Sequence, residues 1–160
     1  MEGDGVASSS LENATREFFN RLTELASLPL GRSSATSYGS EHYRGKPLML
    51  NFWYASCPGC LVEIPGMQKF YASQQATGKD FTILGVNTVD DTPTAQQFVQ
   101  QYGLTYQIVM DSNGDVIKLY NIGATPTSYF IDREGIIRSV VVGPVDDTAL
   151  KQYVEQISNV

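Results

Sequence analysis

Apolar residues recur along this chain with two periods, and the change from one to the other lays out its elements. Leu11, Ala14, Phe18, Phe19, Leu22, Leu25 and Ala26 return at helical spacing, and Ser9 with Glu12 has the spacing of a capping box. A helix is therefore expected over 10–27, ended by Leu28-Pro29. Residues 1–8 before it are rich in glycine, serine and acids and are expected to be disordered. Gly31 to Glu41 reads as loop. Leu48 to Tyr54 is a nearly unbroken apolar run, the pattern of a central strand covered on both faces. From Cys57 onward Cys60, Leu61, Ile64, Met67, Phe70 and Tyr71 follow a helical period, with Pro65 expected to kink the helix because it has no N–H for the Leu61 carbonyl.

The second half continues the alternation. Phe81 to Asn87 reads as a buried strand, Pro93 to Tyr102 as a helix entered through Thr92-Pro93, and Tyr106 to Met110 as a short strand. An Asp-Ser-Asn-Gly turn leads to a short helix over Val116 to Tyr120. Thr127 to Ile131 and Ile136 to Val142 are β-rich runs joined by Asp132-Arg133-Glu134-Gly135, a hairpin turn, and Asp146 to Ile157 closes the chain as an amphipathic helix. Strands alternating with helices, then a hairpin and a last helix, give an α/β chain with a mixed central sheet covered on both faces.

The totals narrow the function without naming it. At 160 residues the chain suits one domain with a sizeable core. A net charge of −6, with 17 acidic against 11 basic residues and no basic block, argues against nucleic acid or an anionic membrane as the main partner. No apolar run is long enough to span a bilayer. Met1 to Ser10 has neither the basic start nor the apolar stretch of a signal peptide, which leaves a cytosolic protein or one whose leader is missing from this sequence.

Candidate chemistry concentrates at Cys57-Pro58-Gly59-Cys60, which holds both cysteines of the chain between the apolar run and a helix. A cysteine at a helix N-terminus meets unpaired N–H groups and the positive end of the helix dipole, and both favour a thiolate. The second cysteine lies one turn along, within reach to resolve a mixed disulfide. Zinc needs about four ligands, and beyond the two cysteines only His42, in a loop-like stretch, is on offer. A purely structural bridge across so short a loop stabilises little. Redox exchange is favoured, with the sulfurs at the exposed tip of the helix. Pro58 preorganises the first helical position, and Gly59 places no side chain over the sulfurs.

Around this pair stand residues with two readings each. Glu63 projects within about 60° of Cys60 on a helix. Buried, it would titrate near neutrality and could take the Cys60 proton; solvent-facing, it would merely favour the helix N-terminus. Spacing does not separate the two. Pro126 in Ala124-Thr125-Pro126-Thr127 marks a strand start; in a cis form it would leave Thr125 polar groups available to an incoming peptide. Trp53 would shield the sulfurs, pack in the core, or both. Asp90-Asp91 and Asp146-Asp147 look like helix-start acids.

With these residues in place, the chain resembles the thioredoxin superfamily, specifically the TlpA/ResA/DsbE-like thiol–disulfide oxidoreductases. The match runs from about Tyr43 to Val160 through Arg44-Gly45-Lys46-Pro47, Asn51-Phe52-Trp53, Cys57-Pro58-Gly59-Cys60 with Glu63 and Pro65, and Gly123-Ala124-Thr125-Pro126-Thr127 leading to Phe130-Ile131-Asp132 and Gly135. The resemblance implies a thioredoxin-like domain over 41–160, preceded by a helical or irregular extension over 1–40. It implies a cis Thr125–Pro126 bond facing the cysteines, Glu63 as the active-site carboxylate, and Asn51 where cytosolic thioredoxins usually carry a buried aspartate. Cys57 would attack and Cys60 resolve, with Trp53, Pro58, Gly59, Thr125 and Pro126 meeting the client. No metal or cofactor is implied. Ser56 and Gly59 depart from the commoner residues at their positions, and the first 40 residues match poorly.

The expected function is exchange of a Cys57–Cys60 dithiol with disulfides in client proteins, as a reductant fed by an upstream thiol donor, with apocytochrome c among the clients such relatives serve. Net oxidation is the same chemistry reversed. A thiol peroxidase or a copper-binding module are the other readings; nothing near Cys57 in sequence supplies the arginine of the first. The resemblance places the protein outside the cytoplasm, with a cytoplasmic site as the alternative, and it is expected to act as a monomer.

Overall fold

The computed structural model describes residues 2–21, 26–27 and 40–159. In chain order its elements are α1 (Glu2–Arg21), β1 (Ala26–Ser27), α2 (Ser40–Tyr43), β2 (Leu48–Trp53), α3 (Pro58–Ala76), β3 (Thr82–Asn87), α4 (Thr92–Tyr102), β4 (Gln107–Met110), α5 (Asp115–Tyr120), β5 (Thr127–Ile131), β6 (Ile137–Val142) and α6 (Asp147–Ser158). The strands form a six-stranded sheet in the order β1-β4-β3-β2-β5-β6. β2 runs parallel to β3 and β3 to β4, whereas β5 is antiparallel to both β2 and β6.

β2 shows why its apolar run is nearly unbroken. Leu48, Leu50 and Phe52 point to one face and join Ala14 and Phe18 of α1 and Val116 and Tyr120 of α5. Met49 and Trp53 point to the other and join residues of α3, α4 and α6, including Ile64, Phe98 and Leu150. A strand clothed on both sides needs apolar residues at both parities. The exception is Asn51, fully buried between Met49 and Trp53 on the α3 face.

The helices obey local signals. Asp91 caps α4 by accepting from Thr94 N, and Gly103 ends it in the left-handed conformation at φ 62°. Asp146 caps α6 through Ala149 N. The helix α3 continues through Pro65 to Ala76.

Three expectations about the first 43 residues change. The chain is helical from Glu2, where residues 1–8 were expected to be disordered, and Ser9 and Glu12 lie inside α1 instead of capping it. The helix is described as far as Arg21, and residues 22–25 lie outside the described residues; Ala26 and Ser27, expected in the same helix, pair as a strand with Met110 and Val109. The outer edge of β4 carries backbone groups that need partners, and this outweighs the helical spacing of Ala26. Ser40–Tyr43 is a short helix where loop was expected through Glu41; the rest of that loop, and Leu28-Pro29, lie outside the described residues. α1 is built into the core, since Phe18 is fully buried against the same cluster as β2.

Candidate active site

Cys57 is the N-cap of α3, with extended backbone at φ −75° and ψ 116°, and Pro58 takes the first helical position. Its side chain folds back over the first turn, so that Cys57 Sγ accepts from Cys60 N at 3.2 Å. Cys57 and Cys60 are bonded to each other, their Cα atoms 5.2 Å apart. From the other side the Thr125 hydroxyl donates to Cys57 Sγ at 3.6 Å. Two hydrogen-bond donors thus converge on one sulfur.

The sulfurs are not at an exposed tip. Cys57 is 1% exposed and Cys60 fully buried. The capping turn draws Cys57 inward, where the Thr125 hydroxyl meets its sulfur and Pro126 packs on the first turn of α3 at Gly59. The surface above belongs to exposed neighbours, among them Ser56, Pro58 and Val62.

Pro126 follows a cis Thr125–Pro126 peptide and is buried at the start of β5. Gly143 N donates to its carbonyl at 2.8 Å, tying it to the end of β6. This closeness explains Gly59 better than an uncovered sulfur does. A Cβ there would stand 2.9 Å from Pro126 Cδ and 3.5 Å from Pro144 Cδ. Only glycine lets α3 approach both proline rings.

Beneath the disulfide lies a polar layer. Glu63, one turn past Cys60 on α3, is 3% exposed. Its Oε1 accepts from Asn51 Nδ2 at 2.8 Å and its Oε2 from Val145 N at 2.9 Å. Asn51 Nδ2 also donates to Ser128 Oγ at 3.0 Å, across the β2–β5 pair in which the two residues sit opposite. Burial pushes the Glu63 carboxyl up to about 7, against the opposing pull of the Val145 and Asn51 donors. The solvent-facing reading of Glu63 is thereby removed.

Other residues fall where the sequence did not place them. Asp91 and Asp146 are helix caps as expected, but Asp90 is not. Its Oδ2 accepts from Ala55 N at 2.7 Å and Asn87 Nδ2 at 2.8 Å, pinning the segment before Cys57 to the end of β3. Trp53 is fully buried, its ring 4.8 Å from that of Phe98. His42 sits in α2 with its ring 4.9 Å from Tyr43, and the structure does not bring it to the cysteines. Burial and the Lys46 charge lower its pKa. Ser128 and Val145 carried no motif, and Asp90 only that of a helix-start acid; partners distant in the chain make them part of the site.

Comparison with known proteins places this geometry. A family model described as the AhpC/TSA family matches residues 24–140. The thiol-disulfide oxidoreductase ResA of Geobacillus thermodenitrificans is 33% identical over 150 residues, covering 88% of this chain and 84% of that protein. The chain belongs to the AhpC/TSA family. Within the family it is a ResA-like thiol–disulfide oxidoreductase of thioredoxin-like fold, so its clients are proteins that carry thiols or disulfides. Solved relatives share the fold. StoA from Bacillus subtilis superimposes with a TM-score of 0.62 at 30% identity, covering 69% of this chain and 83% of that one. A secreted Mycobacterium tuberculosis disulfide oxidoreductase homologous to E. coli DsbE gives a TM-score of 0.66 at 26% identity, covering 74% and 87%. Among the described residues, no helix of this AhpC/TSA member is long and apolar enough to cross a membrane.

Proposed function

We propose that the protein reduces disulfides in client proteins, with Cys57 attacking and Cys60 resolving. The observation that carries this reading is the buried Glu63 carboxyl, titrating near neutrality one turn beyond Cys60. In the reduced protein the Cys57 thiolate attacks one client sulfur and forms a mixed disulfide, while the other client sulfur leaves and takes up a proton. The Glu63 carboxylate then accepts the Cys60 proton, and the Cys60 thiolate attacks Cys57 Sγ. The second client thiolate departs and is protonated from Glu63. Two electrons pass to the client, and Cys57–Cys60 becomes the disulfide that an upstream thiol donor must reduce again.

Client backbone would lie against Thr125 and Pro126 as an added strand, with Pro58 and Gly59 at the rim and Trp53, fully buried, supporting the site from within instead of touching the client. The work is done outside the cytoplasm by a monomer, with apocytochrome c disulfides among the suitable clients; the secreted M. tuberculosis relative supports that location. A peroxidase reading finds little support. Of the described arginines, Arg133 and Arg138 are tied to Asp80 and Asp132 around the β5–β6 turn, at the opposite end of the sheet from Cys57.

The test is Cys60→Ser incubated with a disulfide-bonded peptide. A mixed disulfide through Cys57 should accumulate and be isolable by mass; no adduct would count against the assigned roles. Equilibration of the wild-type couple with glutathione sets the direction. A potential below the cytosolic poise of about −220 to −260 mV fits a reductant, and one well above it an oxidant.

A further inference from the structure

Three buried side-chain polar atoms among the described residues lack a hydrogen-bond partner: Asn51 Oδ1, Trp53 Nε1 and Tyr106 Oη. Trp53 and Tyr106 belong to the buried cluster that also holds Cys57 and Cys60. Asn51 is the residue bonded to Glu63, and Trp53 lies two positions along the same face of β2. Tyr106 enters from the start of β4. A Cβ built on Gly85, the partner of Asn51 across the β2–β3 pair, would stand 3.1 Å from Trp53 Nε1 and 3.3 Å from Tyr106 Cε2. Glycine at this position leaves room for the indole and the phenol, which both approach β3 opposite Asn51. Tyr106 is 1% exposed and Asn51 and Trp53 fully buried.

Leaving a buried hydroxyl or indole N–H unpaired is costly, so two such donors, Tyr106 Oη and Trp53 Nε1, in the buried cluster beside the Asn51–Glu63 pair call for an explanation. The anion that forms when Glu63 ionises supplies one. Its two present donors, Asn51 Nδ2 and Val145 N, occupy one lone pair on each oxygen, and a carboxylate can accept about four bonds. The phenol keeps its own proton there, because burial and the Glu63 charge both raise its pKa.

We propose that Tyr106 is a positioning residue for Glu63, its phenol donating to the carboxylate, directly or through one water shared with Trp53 and Asn51, whenever Glu63 gives up its proton. The inference rests on the proton-accepting role assigned to Glu63 above and says what stabilises its charged form. The other titratable groups facing Glu63 are Cys60 on its own helix and Cys57 bonded to it. Asp146 and Asp147, at the start of α6, are exposed, with Asp147 beside Gly66 one turn further along α3.

The experiment follows the Glu63 side-chain carboxyl by 13C NMR through a pH titration of the oxidised wild type and Tyr106→Phe. The wild-type inflection should lie near 7. Loss of the phenol donor should move it upward by about one pH unit, a tenfold change in proton affinity. An upward shift of less than about half a unit, or any downward shift, overturns the proposal. Urea midpoints of the two proteins show whether the variant folds, and removal of a hydroxyl that never pairs would only raise the midpoint and leave the titration unmoved. The pH–rate profile of Glu63→Gln is read separately. Its failure to differ from wild type removes Glu63 from the exchange reaction, whereas the NMR shift still decides whether Tyr106 holds its charge.

Discussion

Glu63→Gln should erase a pH dependence of stability that the wild-type protein owes to one buried carboxyl. The group titrates near 4.5 in an ordinary setting and at about 7 in the fold, because burial disfavours its charged form. The native state therefore binds the proton more tightly than the unfolded chain does. This contribution is fully present below about pH 4.5 and is lost as pH rises toward 7, since the unfolded chain ionises first. At about 1.4 kcal/mol for each pH unit between the two values, the loss is about 3 kcal/mol. Glutamine cannot ionise, so its variant lacks the loss. It also fits: turning the Asn51 amide would present the unpaired Oδ1 to the new N–H, at the expense of the Ser128 bond. The assay is urea unfolding of both oxidised proteins between pH 4.5 and 7.5, read as the difference between them. Groups common to both, such as Asp80 and Asp132 with their lowered pKa values, cancel in that difference. With the cysteines bonded, neither titrates. Wild type should lose about 3 kcal/mol relative to the variant across that range. A difference that changes by less than about 1 kcal/mol would mean that Glu63 is solvated or already ionised, and the burial argument fails.

Gly59→Ala forces a methyl group to within 2.9 Å of Pro126 Cδ, part of a ring that cannot swing aside. It should cost about 1–3 kcal/mol in urea unfolding and slow client exchange; an unchanged midpoint and rate would show that α3 and Pro126 are not in close contact. Asp90→Ala leaves Ala55 N and Asn87 Nδ2 without their acceptor. A loss of about 1–3 kcal/mol is expected, together with faster hydrogen exchange at the Ala55 amide, and slow exchange there would disprove the tether.

The chain's own order of residues settled what depends on near neighbours. Alternating periods located the strands and helices from Leu48 onward to within a residue or two, apart from the end of α3, which runs past the last periodic residue, Tyr71, to Ala76; a strand covered on both faces and a helix with one buried face each leave a local signature. The paired cysteines at the mouth of a helix announced thiol chemistry for the same reason: capping and helix dipole act within one turn. What distance along the chain conceals, only the folded sheet resolved. Spacing left Glu63 between solvent and core, and it became a buried carboxyl through Val145, which lies 82 residues away, and Asn51 on the central strand. Asp90 looked like half of a helix cap until the end of β3 brought it to Ala55. Ala26 fitted a helical face, yet the unpaired edge of β4 took it into the sheet. The sulfurs, expected in the open, are buried, with Thr125 at the entry to β5, the strand paired with β2, donating to Cys57 Sγ. Burial and pairing across a sheet are set by which segments become neighbours in space, and no local pattern carries that information.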